Sequence, residues 1–449
     1  MRQSLILITS LIIASLGFSQ ENIPNRYSLQ EAIDFALKNN RTVINAARDI
    51  EAAKKQKWET TASGLPQLSA SVDYQNFLKQ QVQVIPAQFF GGEPGEFQEV
   101  VFGTKQSVNA FATLNQKVFD GSYIVGLQSA KVFLEISKNA KIKTDLEIRK
   151  AVIDAYGNVL LAEESIEILN RNIEVLEKNL FETYKIYENG LGEEESVEQL
   201  QITLSGVKSN LNNTERLKTL AYQMLNITLG LDVYNKLVLT DNLETLTREH
   251  IALSLLSVEN NPENTIDYRI AANDTKAKEL MVKLEKSKAL PTLNAFLNGG
   301  YSAFEDEFSF FDKDQEWFGS SLFGLNLSIP IFSSGMRSAA TQRAEINLEK
   351  AQTELTETEQ RIKLQIASAK SNYQFAVEDY VNKTENLELA ERIENKNQTK
   401  FFEGIGSSFE LRQAQTQLYT AQQELLQSML DVINSKAELE TVLNTPINN

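Results

Sequence analysis

The sequence predicts a mainly α-helical chain with a small set of membrane-length β-strands, which in several copies build a transmembrane barrel prolonged by a helical tube. Three observations predict this fold class. The chain is duplicated: Asn189-Gly190-Leu191-Gly192 returns as Glu403-Gly404-Ile405-Gly406, and Gln199, Gln201 and Leu204 return at the same offset as Gln413, Gln415 and Leu418. Leu65-Pro66-Gln67-Leu68 likewise returns as Leu290-Pro291-Thr292-Leu293. Second, there is no proline between Pro94 and Pro262 or between Pro330 and Pro446, and apolar residues in these stretches recur at helical spacing. Third, four short segments switch to strict alternation of apolar and polar residues, the strand period.

The elements follow in order. Arg2, the apolar run Leu5 to Leu16 and the small-residue site Gly17-Phe18-Ser19 form a secretory signal peptide, residues 1–19. The run is too short to span a bilayer. A first repeat occupies residues 20–229. Ser28-Leu29-Gln30-Glu31 is a capping box that opens its first helix. A second helix runs from about Arg41 to Thr61 and stops before Gly64 and Pro66. A β-hairpin follows at about 66–119, with strands at Leu68 to Tyr74 and Val108 to Asn115. Phe111 breaks the alternation of the second strand. The intervening Gln80–Lys105 is the least regular part of this repeat.

A helical hairpin at about 122–229 comes next, with Ile166, Leu169, Ile173, Leu176 and Leu180 as its seam. Tyr184 and Tyr187 continue this seam, which resumes beyond Gly192 at Val197, Leu200, Leu204, Val207 and Leu211. At ~1.5 Å per residue the first of these helices is roughly 100 Å long. Residues 230–261 form a connecting segment without a readable motif. The second repeat, 262–449, holds a helix from about Ile266 to Ala289 and a β-hairpin at about 291–332. It continues with a helical hairpin at about 336–443 and a C-terminal tail. Its strands run through Leu293–Asn298 and Leu325–Ile331. The loop between them carries Phe304, Phe308, Phe310, Phe311 and Trp317, either as an interfacial girdle or as internal packing.

Composition excludes several functions. The net charge of −16 argues against nucleic-acid binding. There is no cysteine, so an exported chain is held by packing or assembly rather than disulfides. The single histidine, His250, beside Arg248 and Glu249, reads as a solvated or capping side chain. No phosphate loop, nucleophile constellation or metal-ligand spacing is present, so no enzyme and no cofactor are expected. Four strands cannot close a barrel, and open edges are not tolerated in lipid. Three copies give twelve strands. Leu68, Val72, Tyr74, Leu293, Leu297, Leu325, Leu327 and Ile329 are the expected lipid-facing residues.

The ordered set of duplicated marks resembles the TolC-type outer-membrane efflux factors. It comprises Leu65-Pro66-Gln67-Leu68 with Tyr74, Leu290-Pro291, Phe119/Gly121 with Phe332/Gly335, and the two Gly-centred turns followed by Glu410-Leu411 and Ala414-Gln415. The resemblance covers the chain after the signal peptide. It implies a homotrimer in the outer membrane, with a twelve-stranded barrel, a helical barrel through the periplasm, and passive export of substrates. It further implies that a periplasmic adaptor docks at the turns, Asn189, Gly190, Leu191, Gly192, Glu403, Gly404, Ile405 and Gly406, and links them to an RND-type or ABC-type inner-membrane transporter. Glu193, Glu194, Glu195, Glu410 and Gln413 fall at the implied pore entrance; Gln413 is uncharged where family members carry an acid. The positions matching the family's tip locks are Phe401, Gly406 and Ser196, which cannot make them. The alternative reading is a periplasmic adaptor or a structural coiled-coil protein. An adaptor has one helical hairpin flanked by compact β modules; this chain has two hairpins and membrane-length strands.

Overall fold

The computed structural model describes residues 26–259 and 261–444. The expected signal peptide therefore lies outside the described residues. In chain order the elements are β1 (Arg26–Tyr27), α1 (Leu29–Asn39), α2 (Arg41–Ala62), β2 (Gln67–Asn76), β3 (Val82–Pro86), β4 (Phe97–Val101), β5 (Gln106–Asp120), α3 (Gly121–Glu188) and α4 (Glu194–Leu229). They continue with β6 (Val238–Leu239), α5 (Leu243–His250), α6 (Ile266–Ser287), β7 (Thr292–Glu305), β8 (Phe318–Ser328), α7 (Met336–Phe402) and α8 (Ser408–Leu443). Contacts divide the chain into two units. Both halves of the sequence contribute to each.

The first unit, residues 46–141 and 266–360, contains the strands. β2, β5, β7 and β8 form one antiparallel sheet in the order β2-β5-β7-β8. Its register puts Leu68 opposite Leu114, Leu114 opposite Leu297, and Leu297 opposite Phe323. Because side chains alternate along a strand, Leu68, Val72 and Tyr74 share one face with Leu293, Leu297, Leu325 and Leu327. A bulge between Lys117 and Phe119 keeps Phe119 on that face, opposite Leu293. The face is exposed: Leu68, Val72 and Phe323 keep 74%, 73% and 66% of their surface. Ile329 departs from expectation. β8 ends at Ser328, since Pro330 has no N–H to extend the ladder.

The opposite face is polar and hydrogen-bonded across strands. Asn298 Nδ2 donates to Thr113 Oγ1 at 2.7 Å, and Ser302 Oγ donates to Asn109 Oδ1 at 2.7 Å. Phe111 and Phe296, two of the apolar side chains on this otherwise largely polar face, each sit opposite a glycine. Phe111 pairs with Gly300 and Phe296 with Gly324. A Cβ at either glycine would collide with the facing ring. Ring-over-glycine pairs admit one register only, so they pin the sheet.

The segment between β2 and β5 is more regular than its sequence suggests: β3 and β4 pair antiparallel from Val82↔Val101 to Pro86↔Phe97. In the β7–β8 loop, Phe308 and Phe310 pack edge-on against Tyr74, with centroids 5.7 and 6.0 Å away. Tyr74 also donates to Gln106 Oε1 at 2.9 Å. Of these rings Phe310 is buried, whereas Phe308 and Phe311 stay exposed.

The second unit, residues up to 45, 142–265 and from 361, is helical. Its core gathers Ala32, Ile33 and Ala36 of α1, Val152, Tyr156 and Val159 of α3, Leu225 and Leu229 of α4, and Met429, Ile433 and Ala437 of α8. Full burial of each large aliphatic side chain contributes about 2 kcal/mol. The capping box at Ser28 forms as expected. The connecting segment is stitched to this core. β1 pairs with β6, and Asp241 Oδ2 accepts from Leu29 N at 2.7 Å and lies 2.9 Å from the Tyr156 hydroxyl.

Of the two expected roles His250 takes the capping one: its half-buried ring lies in the last turn of α5, with Nδ1 2.8 Å from the Leu246 carbonyl. Burial foremost, then Lys436, pushes its pKa down to about 4. Tyr373 Oη accepts from Ala252 N and donates to the His250 carbonyl, both at 2.7 Å, so α7 holds this segment.

Candidate functional site at the two helical turns

Each helical hairpin reverses through the same five-residue geometry. Gly190 takes φ 71° and Gly404 φ 76°, the left-handed region open to glycine at low cost. Gly190 N donates to Tyr187 O and Leu191 N to Ile186 O; Gly404 N donates to Phe401 O and Ile405 N to Lys400 O. Both are Schellman stops that satisfy the last carbonyls of α3 and α7. Asn189 Nδ2 adds a bond to Lys185 O at 2.7 Å.

The stops turn two apolar side chains outward. Leu191 is 82% exposed and Ile405 73% exposed. A Cβ on Gly190 or Gly404 would meet no atom within 4 Å, so open space surrounds both turns.

The acids divide by role. Glu193 is the N-cap of α4 without a side-chain cap bond, and Glu194 and Glu195 fill its first turn, favourably placed against the helix dipole. All three are exposed. Glu195 Oε1 accepts from Gln199 Nε2 at 2.8 Å. Glu410 differs. Ser407 and Glu410 form a reciprocal capping box: Glu410 N donates to Ser407 Oγ at 3.2 Å and Ser407 N to Glu410 Oε2 at 3.1 Å. The Ser-x-x-Glu signature stands in the sequence and gives Glu410 a structural duty at the α8 start. Gln413 is exposed.

Above the turns the seam follows the expected residues as far as Leu180. Leu169, Leu176, Leu200, Leu204 and Val207 are buried together, with Ile173, Leu180 and Leu211 against them. Tyr184 and Tyr187 do not continue it: both are exposed, and Asn179 and Thr183 point inward instead. Sequence periodicity missed this change because it follows apolar residues only.

The inward face near the turns is a polar seam joining the two hairpins. Asn172 Nδ2 donates to Gln422 Oε1 at 2.8 Å, and Gln398 Nε2 donates to Asn179 Oδ1 at 3.0 Å. Glu394 is buried beside Gln415 and Tyr419, and burial raises its carboxyl pKa. Asn179 Nδ2 and Thr183 Oγ1 have no protein partner. Such a seam holds more weakly than an apolar one, because each unmet polar group costs about 1–3 kcal/mol.

Comparison with known proteins agrees with this architecture. The family model described as "Outer membrane efflux protein" matches residues 32–231 and 263–445. The outer membrane protein TolC of Vibrio cholerae is 20% identical over 419 residues, covering 93% of this chain and 91% of its own. Among solved structures, CusC superposes with a TM-score of 0.74 at 19% identity, over 92% of this chain and 91% of its own. VceC of Vibrio cholerae gives 0.72 at 16%, over 93% and 96%. The open MtrE channel of Neisseria gonorrhoeae gives 0.72 at 18%, over 93% and 89%.

Proposed function

We infer the working assembly from one premise: this chain belongs to the outer membrane efflux protein family. It is an outer-membrane efflux channel that extends into the periplasm. The observation carrying the assembly is the sheet β2-β5-β7-β8, with its exposed apolar face and its two edge strands unpaired within the chain. A membrane-embedded sheet must have every edge paired. Three chains supply twelve strands and close the barrel. Leu68, Val72, Leu293, Leu297, Leu325 and Leu327 then face lipid, while Asn109, Thr113, Asn298 and Ser302 face water.

The helical hairpins of three chains enclose the conduit, and their turns form the periplasmic mouth. Leu191 and Ile405 dock a periplasmic adaptor, with Gly190 and Gly404 letting its helices approach closely. The adaptor couples the tube to an inner-membrane transporter of the RND or ABC type. The channel is passive and carries out no chemistry, so the transporter supplies the energy. Glu193, Glu194, Glu195 and Glu410 ring the mouth with negative charge and favour cations. The polar seam through Asn172, Asn179, Gln398 and Gln422 is the contact that yields when the mouth widens, in place of the family's tip locks.

The testing experiment is single-channel conductance of the detergent-extracted protein in planar bilayers, with native mass determined alongside. A trimer with cation-selective conductance is expected. A soluble monomer without conductance refutes the assembly.

A further inference from the structure

The polar face of the sheet ends in a cleft on the side away from the helices. β2 begins at Gln67, just after α2, and β5 runs into α3 at Asp120, so Gln75 and Ser107 stand at the far end. There Gln75 lies opposite Ser107, and Ser107 opposite Phe304. Asn109 lies opposite Ser302, one side chain nearer the helices on the same face. At ~4.8 Å between neighbouring strands the row from Gln75 to Phe304 is about 10 Å wide. Beyond it the chain closes a wall: Phe77 N donates to Lys105 O at 2.9 Å and Gln80 Nε2 to Gly103 O at 3.0 Å. The space enclosed is about 350 Å³, the size of a small-molecule site.

The lining departs from the chain's composition. Charged residues make up 23% of the sequence, yet no charged side chain among the described residues borders the cleft. It presents three partly exposed rings, Phe77, Phe102 and Phe304. Phe304 is braced by Phe318, with ring centroids 6.2 Å apart. Between the rings stand the amides of Gln75, Gln81, Gln83 and Asn109. Asn109 Oδ1 accepts from Ser302 Oγ, which leaves its NH₂ group to donate. The three glutamine side chains make no hydrogen bond among the described residues. Nor does the hydroxyl of Ser107, although that residue is only 7% exposed. A buried hydroxyl without a protein partner takes one from solvent or from a ligand.

These groups select a chemical class. A neutral lining offers no counter-charge to a metal ion, a phosphate or an ammonium group, each of which gives up hydration on entry. A saccharide ring carries an apolar C–H face and a rim of uncharged hydroxyls. Aromatic rings cover the first. Primary amides, with donor and acceptor side by side, bridge neighbouring hydroxyls of the second.

We propose that this cleft binds a neutral saccharide, with one sugar ring stacked on Phe304 and its hydroxyls held by Gln75, Ser107 and Asn109. The proposal rests on the barrel inferred above, which puts the polar face, and the cleft with it, inside the outer end of the tube.

The test adds maltohexaose or chitotetraose to the detergent-extracted protein in planar bilayers, with saturation-transfer NMR of the same saccharides in detergent. Both saccharides, or one, should interrupt the current in short closures whose frequency rises with concentration. Polyethylene glycol of similar size should not. Phe304→Ala and Phe102→Ala should each weaken the effect about 5–10-fold, and Phe304→Trp, which restores a ring, should retain it. Phe311→Ala, on the same loop but outside the cleft, should match the parent. Closures caused from the strand-loop side alone assign the site to surface carbohydrate, and closures from both sides to an exported glycan; each supports the cleft. No closure with either saccharide, equal closure with polyethylene glycol, or an unchanged effect in both alanine variants overturns it. Saturation transfer that Phe304→Ala abolishes, in a protein that does not conduct, supports the cleft and refutes the barrel instead.

Discussion

Replacing Gly190 and Gly404 separates what the turns do for folding from what they do for function. Both have positive φ, and a Cβ on either would meet nothing within 4 Å. Alanine there costs only the left-handed backbone term, about 1 kcal/mol per site. Gly230 is the comparator. It also has positive φ, 85°, but its Cβ would overlap the Asn39 backbone, which cannot swing aside. The same substitution there adds a packing clash to the strain. Circular-dichroism melts of the detergent-extracted protein should show Gly190→Ala and Gly404→Ala within roughly 1–2 °C of the parent. Gly230→Ala should fall much further. Export measured in cells should nevertheless fail in the Gly190→Ala/Gly404→Ala double variant, because added side chains hold the adaptor away. Asparagine tolerates left-handed backbone better than alanine. Gly190→Asn/Gly404→Asn should therefore recover the melt and still not export. Normal export by the asparagine pair would refute the need for a bare turn. An equal loss of melting temperature at Gly190 and Gly230 would refute the geometry assigned to them.

Three further outcomes are expected. Glu410→Gln keeps a capping box, since glutamine serves equally at that position, and should lower cation selectivity in bilayers without loss of trimer; unchanged selectivity removes Glu410 from the mouth. His250 has a folded pKa near 4, below its unfolded value of about 6.5. Protonation therefore favours the unfolded chain, stability is full above about pH 6.5, and about 3 kcal/mol is lost as pH falls towards 4. His250→Gln should flatten that part of the denaturation profile against pH, and an unaltered slope would contradict the assignment. Phe296→Ala uncovers Gly324 on the polar face and removes a cross-strand pair worth up to about 1 kcal/mol. It should slow barrel assembly, read as heat-modifiable gel mobility, whereas Leu322→Ala on that face should not.

Local rules carried much of this protein. The capping box at Ser28, the proline-free helices and the glycine stops at Gly190 and Gly404 depend on residues within one turn of each other, so a linear reading reaches them. The alternation in Leu68–Tyr74 and Leu293–Asn298 named a common face for the same reason: a strand side chain's direction is set by parity alone. The limits were also local. Pro330 ends β8 before Ile329, and the Ser407 signature that engages Glu410 is legible in the chain yet competes with the reading of Glu410 as a free acid.

Only the tertiary structure decided what depends on distant partners. Phe111 and Phe296 break the strand pattern until register sets each over a glycine nearly 190 or just 28 residues away. His250 beside Arg248 and Glu249 reads equally as solvated or capping until the fold sets Nδ1 on the Leu246 carbonyl, α8 brings Lys436 near it and α7 brings Tyr373 to its backbone. The seam's turn to Asn179 and Thr183 near the mouth is invisible to an apolar periodicity, because polar residues read as surface until a second hairpin covers them. Composition and period determine which face of each element is apolar; which faces meet, and in what register, is fixed by contacts between segments the sequence holds far apart.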